Sequence, residues 1–238
     1  MIIEEKYMQM TMPRIGELIK SGRAFVAEQW GLIVLAVLGV PAGVEIVSSV
    51  LQKVLSDSPL SFVVSIASSA ISVLIALGTT HIVLSLVDGK TASIAEIFSR
   101  SDLFWKYLWA SIMYVLAMGI GFILFIIPGV YILLKYGFYG YVIVDRPELT
   151  AIDALKESAR LTDGIKWQLF SFYLALIGIN ILGALALGIG LLYTIPVSSM
   201  ATVALYRSLT RIASGSIESP APSVEPVAPP STETPSVA

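Results

Sequence analysis

Four residues could do chemistry inside otherwise apolar stretches of this 238-residue chain: Glu45, His81, Lys135 and Asn180. An ionisable or amide group at membrane depth is costly unless it is paired or functional, so each marks a candidate site. Glu45 follows Pro41, a residue able to bend a helix, and Lys135 lies early in a later apolar run. With both termini in the cytoplasm, both fall in the outer half of the bilayer, where an ion pair between them is geometrically open. The alternative is that each side chain reaches the outer interface separately. His81 has Ser85 and Asp88 on the same helix face. Such a set invites a hydrolase reading, but no strained nucleophile turn and no oxyanion donors accompany it. A hydrogen bond from His81 to a neighbouring helix is the plainer role, and a proton relay is the functional one. The other face of the same span carries a stripe of Ser61, Ser65, Ser68, Ser69, Ser72, Ala76 and Thr79. Small hydroxyl residues let helices approach and bond across the contact; lining of a polar path is the second reading. Asn180 sits near Gly183, Ala184 and Gly188, and a further span offers Ala117 and Gly121, all of which read first as packing.

The elements that must hold these residues are membrane helices. The chain is 56% hydrophobic and 13% charged, with mean hydropathy +0.83, whereas soluble domains carry roughly 25% charged residues. Cysteine is absent and histidine single, so disulfide frameworks, thiolate chemistry and multi-histidine metal sites are excluded by inventory, and no cofactor is expected. A net charge of -2 with no basic groove argues against nucleic acid. Glu4, Glu5 and Lys6 open the chain without an early apolar core, so no removable signal peptide is expected.

A helix needs about 20 apolar residues to cross a hydrocarbon layer of ~30 Å. Trp167 to Tyr206 contains no charge and would be ~60 Å long as one helix, so it divides near Gly188 and Gly190. Tyr107 to Val144 contains only Lys135 and divides at Pro128-Gly129. The expectation is an all-α bundle of six spans, about 28–50, 60–87, 106–127, 129–145, 167–189 and 191–209, within an integral domain 1–213. Basic residues cluster before span one and in every second connection, while the opposite connections hold only Lys53. Both termini are therefore expected in the cytoplasm, with the protein in the cell membrane.

Amphipathic segments about 13–25, 93–102 and 150–163 precede the odd spans and are expected as interfacial helices. Ile15 to Leu32 and Ile152 to Leu169 align without gaps, with identities at Ile15/Ile152, Leu18/Leu155, Ser21/Ser158, Arg23/Arg160, Trp30/Trp167 and Leu32/Leu169. A more diverged copy, Ser93 to Phe98 followed by Trp105, suggests three units of surface helix plus hairpin. Ser93/Glu96 and Thr150/Asp153 have capping-box spacing, and Gly164 suits a left-handed helix end. Val87-Asp88 and Val144-Asp145 close the second and fourth spans alike.

The segments Ile126-Ile127-Pro128-Gly129-Val130, Lys135-Tyr136-Gly137-Phe138 and Ala151 to Ser158, with Gly164-Ile165-Lys166-Trp167, Ile195-Pro196 and Tyr206, make the stretch from Ala92 to Leu209 resemble a particular family. It is that of polytopic prokaryotic membrane proteins of unknown function related to the membrane domain of glycerophosphoryl diester phosphodiesterases. The resemblance implies a six-span membrane protein and imports no activity, because the soluble phosphodiesterase domain is absent. Residues 214–238, rich in Pro, Ser, Thr and Glu, are expected to be a disordered cytoplasmic tail. The leading functional expectation is a non-enzymatic scaffold or lipid-interacting protein with membrane lipids, a second copy or another membrane protein as partners. The second is a small-solute or lipid transporter. The repeats enter from one side and so differ from the inverted pairs of many carriers.

Overall fold

The computed structural model describes residues 13–56, 58–186 and 188–215, and among them the chain is helical with no strand. Helices α1 (Ile15–Glu28), α2 (Trp30–Val54), α3 (Leu60–Val87), α4 (Phe104–Leu124), α5 (Ile126–Tyr136), α6 (Tyr139–Asp145), α7 (Ala151–Leu161), α8 (Lys166–Leu185) and α9 (Leu191–Ala213) follow in order. Two 3-10 turns, Ile94–Phe98 and Ser101–Leu103, join α3 to α4. The tail expectation for 216–238 lies outside the described residues.

Five stretches are long and apolar enough to cross a membrane: Trp30–Val54, Leu60–Val87, Ile94–Leu124, Ile126–Asp145 and Lys166–Leu185. The sixth expected span, α9, has the length, at 23 residues, but carries Thr194, Ser198, Ser199, Thr202 and Arg207. Its surroundings account for this. Val197, Met200, Ala201, Val203, Leu205, Tyr206 and Leu209 are buried by other helices, so little of α9 needs to suit lipid.

The helices pair as three hairpins. In hairpin one, α2 and α3 are antiparallel, with Thr79 against Ala36 and Ser72 near Glu45. In hairpin two, α4 returns as α5 and α6, with Gly121 against Gly129 and Tyr107 against Gly140. The turn falls at Phe125, earlier than the expected Pro128-Gly129. Pro128 instead sits in the first turn of α5, where its missing N–H leaves no intrahelical bond unmade. Hairpin three, α8 with α9, turns at Gly188, whose φ of 77° only glycine adopts freely; Gly164 ends the preceding turn at φ 76°.

Hairpins one and two meet at one end, here called the base. There Ile82 to Val87 of α3, Val142 to Val144 of α6, Leu103 and Ile97 are all buried. Gly78 makes this closeness possible: a Cβ there would stand 1.8 Å from the Ile97 carbonyl oxygen. Away from the base, apolar side chains face outward, with Val54, Phe62, Ile123 and Ile127 exposed.

Hairpin three differs in its second helix, since α8 packs beside α5 but α9 does not run alongside the other hairpins. Near its start, α9 places Tyr193 against the Trp30 ring at 5.8 Å between centroids. Fourteen residues later Arg207 pairs with Asp88. Trp30 and Asp88 belong to the same end of hairpin one, since Gln29 and Asp88 line one cavity. A helix of ~21 Å between Tyr193 and Arg207 that touches this end twice must lie across it. Of the six spans expected, five have the length and hydropathy of a membrane crossing, and α9 is not among them.

The amphipathic segments dock on other helices. Segment α1 lies along α9 and packs Leu18, Gly22 and Val26 against it. Segment α7 buries Ala154, Leu155, Ser158 and Leu161 against hairpin two and α9. The middle segment is 3-10, not α-helical. Ser93 and Glu96 do form the full capping box, while Thr150 makes only half of one. Its hydroxyl accepts from the Asp153 N–H and donates to the Asp153 carboxylate, leaving that group turned toward the hydroxyl.

Candidate functional site

The base is held by charges. Arg207 donates to Asp145 at 2.6 Å and to Asp88 at 2.6 Å, and the Tyr206 hydroxyl donates to the other Asp145 oxygen at 2.9 Å. Asp88 and Asp145 end α3 and α6, where the helix dipole disfavours a carboxylate. One guanidinium offsets both, and its planar fork suits two acceptors better than a lysine would. All three side chains are 17–24% exposed, so the cluster is half sheltered and its partners matter to stability.

Other basic residues do similar work. Arg100 donates to the Val144 carbonyl at 3.0 Å, a free C-terminal acceptor of α6, and Lys106 donates to the Pro147 carbonyl. Glu157 of α7 accepts from Arg146 at 2.8 Å and from Arg160 at 2.6 Å. The Arg160 hydrogen bond, with help from Arg146, holds the Glu157 carboxyl below the ordinary glutamate range. Five of the positive residues that mark one side in the sequence, Arg100, Lys106, Arg146, Arg160 and Arg207, are thus tied to acceptors.

Each of the first two hairpins contains one break with an exposed-bond problem, and each break is mended by a hydroxyl. In α2 the turn Leu35–Gly39 widens to π spacing just before Pro41. The Val40 N–H goes to Leu35, Pro41 has none, and the Ala36 carbonyl is left over; Thr79 donates to it at 3.1 Å. In hairpin two the expected span 129–145 breaks at Gly137-Phe138. Ser158, fully buried, accepts from the Phe138 N–H at 3.1 Å and donates to the Lys135 carbonyl at 3.3 Å, and Thr162 donates to the same carbonyl at 3.1 Å.

A polar groove of about 410 Å3 runs between α2 and α3, lined by Glu45, Ser48, Gln52, Ser65, Ser68 and Ser72. Ser65 and Ser68 bond back to their own helix, at Ser61 and Val64 carbonyls, and Ser72 donates to Glu45 at 3.5 Å. A second cavity of about 410 Å3 opens at the base, lined by Glu28, Gln29, Ile33, Asp88, Lys90 and Arg211.

The structure therefore scatters the four residues singled out by type. Glu45 lies in the groove. No ion pair joins it to Lys135 among the described residues, because Lys135 is held on the α7 side of hairpin two, its ammonium 5.9 and 5.3 Å from the Tyr131 and Tyr136 rings. His81 approaches Glu96 at 3.6 Å, while Ser85 is buried and Asp88 turns to Arg207, so the three do not converge. Asn180 donates to Ser198 at 3.1 Å and ties α8 to α9. The cluster that the sequence reading missed is Asp88, Asp145 and Arg207. Its signal was present: two Val-Asp helix ends and an arginine at the end of the last apolar stretch. No metal-binding group of three or more His, Asp or Glu occurs among the described residues.

Residues 112–213, from within α4 to the end of α9, match the family model described as protein of unknown function (DUF975). No curated protein matches the chain. No solved structure matches it either.

Proposed function

We propose that this chain is a non-enzymatic, lipid-interacting scaffold of the cell membrane, with the base and both termini on the cytoplasmic side. The base carries Arg100, Lys106, Arg146, Arg160 and Arg207, the basic excess expected of that side. Each hairpin leaves and returns on one side, so the termini stay together whichever hairpins cross fully. The six-span count needs all three hairpins upright, and the transverse course of α9 favours fewer. A repeated unit is supported by the shared order of amphipathic helix, break and long helix in α1–α2 and α7–α8. The kinship with phosphodiesterase-related membrane proteins rests on the motifs from Ala92 to Leu209, much of which the matched family model also covers.

The observation that carries the scaffold reading is the Arg207 tie. It closes the base across two hairpins, while the apolar faces beyond it are left for lipid or a partner. A second reading, transport, draws on the groove with Glu45 in an apolar helix pair. Reconstitution into liposomes tests both. The scaffold reading expects lipid that co-purifies and no proton or small-ion flux above empty vesicles. Flux that disappears in Glu45→Gln would replace it with transport. A periplasmic-type reporter active when fused after Ala238 would overturn the orientation.

A further inference from the structure

Hairpins one and two share a floor. Arg207 binds Asp88 and Asp145 at once, so α3 and α6 end at one level. At ~1.5 Å per residue, α3 climbs ~42 Å from that level to Leu60, whereas α6 with α5 climbs only ~28 Å to Ile126.

The two tips differ in chemistry as well as height. Hairpin one turns through Lys53, Ser56 and Ser58. Hairpin two turns through Phe122, Ile123, Leu124, Phe125, Ile126 and Ile127, without one polar side chain, and Ile123 and Ile127 are 84% and 82% exposed. Its backbone is paired in part: the Phe125 N–H bonds Gly121, the Gly129 N–H bonds Phe125 and Pro128 has none, while the first two N–H groups of α5, at Ile126 and Ile127, have no backbone partner.

A third observation fixes the depth. Lys135 lies ~14 Å from the tip along α5. Beside it Asp163 pairs with Lys166 at 2.7 Å, and the Asp163 side chain is 81% exposed. The Lys166 hydrogen bond lowers the Asp163 pKa, so the exposed group is a carboxylate. Lys166 lies over Tyr131 at 5.3 Å, and Trp167 is 76% exposed. An exposed carboxylate, lysines, tyrosine and tryptophan at one level are the composition of a headgroup region and cannot sit in hydrocarbon. Measured from there, hairpin one has ~28 Å left, close to a full hydrocarbon layer of ~30 Å. Hairpin two has about half of it.

We propose that hairpin two is re-entrant: it enters the bilayer from the base side, lodges its tip 123–127 among acyl chains near the middle, and returns, while hairpin one crosses. This rests on the membrane placement above and names how the chain engages lipid. The chain has no cysteine, so single-cysteine variants Ser58→Cys, Ile123→Cys and Ile126→Cys of the full chain can be labelled in sealed vesicles with a membrane-impermeant maleimide. Ile123 and Ile126 are exposed, so neither substitution removes packing, and each backs up the other. The expected result is rapid labelling of Ser58→Cys from outside and at least tenfold slower labelling of both tip variants from either face. A nitroxide at position 126 should then collide with oxygen far more than with a water-soluble nickel chelate. Labelling of either tip variant from outside within threefold of Ser58→Cys overturns the proposal. If Ser58→Cys reacts only in inverted vesicles while the tips stay protected, the orientation falls and the re-entrant hairpin stands.

Discussion

Hairpins one and two start from the same arginine and end in opposite ways. Hairpin one carries its own repair: the carbonyl freed at Ala36 by the π turn is met by Thr79, its partner helix. Hairpin two borrows its repair, since the groups freed at Gly137-Phe138 are met by Ser158 and Thr162 from α7 and the residue that follows it. A hairpin whose bonds close internally can extend away from the base; one whose bonds close through a docked helix stays tied to it. Length follows the same division, 28 residues in α3 against 20 in Ile126–Asp145.

The contrast can be broken most forcefully at its shared point. Arg207→Ala should leave Asp88 and Asp145 facing each other and cost about 3 kcal/mol, near the low end for breaking a buried pair because the side chains keep some exposure. Unfolding by SDS titration would measure it, and adding Asp88→Asn and Asp145→Asn should restore part of the loss. Restoration of nothing would mean that the arginine acts by packing and not by charge.

Next in size is Gly78→Ala, where the new Cβ meets the Ile97 backbone. It should cost about 1–3 kcal/mol, whereas Gly119→Ala, with nothing within 4 Å, should fall within about 0.5 kcal/mol of the parent. Equal costs would erase the distinction between a packed base and free tips.

Ser158→Ala sharpens the comparison between repairs. It strands the Phe138 N–H and weakens the bonding at Lys135, for about 1–2 kcal/mol. Thr162 still reaches that carbonyl. Faster hydrogen exchange should appear in 137–141 and leave α2 and α3 unchanged; exchange rising in hairpin one as well would mean that the two repairs are coupled.

The smallest expected effect concerns pH. Glu157 has a lowered pKa when folded, so its contribution is complete above the ordinary glutamate range and lost as pH falls through the depressed value. At about 0.5–1 kcal/mol it should show as an acid-side loosening of α7, absent in Glu157→Gln.

Much of this was legible in the sequence. The span 60–87 coincides with α3, and the turn at Gly188, the left-handed Gly164 and the Ser93/Glu96 cap all follow from local chemistry that the residues carry with them. The charged pairs were not legible. Asp88 and Arg207 are 119 residues apart, and no local rule says that two helix ends and a third helix will meet. The surroundings of Lys135 escaped for a similar reason. Counting residues along an apolar run gives no sign that α7 and the start of α8 bring Asp163 and Lys166 up beside it. The crosswise course of α9 escaped for the converse reason: an uncharged stretch reads as a span, although burial by protein asks for the same residues as burial by lipid.

The break at Gly137-Phe138 also bears on how the chain is assembled. Its N–H at 138 waits for a hydroxyl 20 residues downstream. Until α7 docks, that N–H lacks its Ser158 partner and is left to water. The serine that completes the second leg of hairpin two thereby makes two segments 20 residues apart depend on each other.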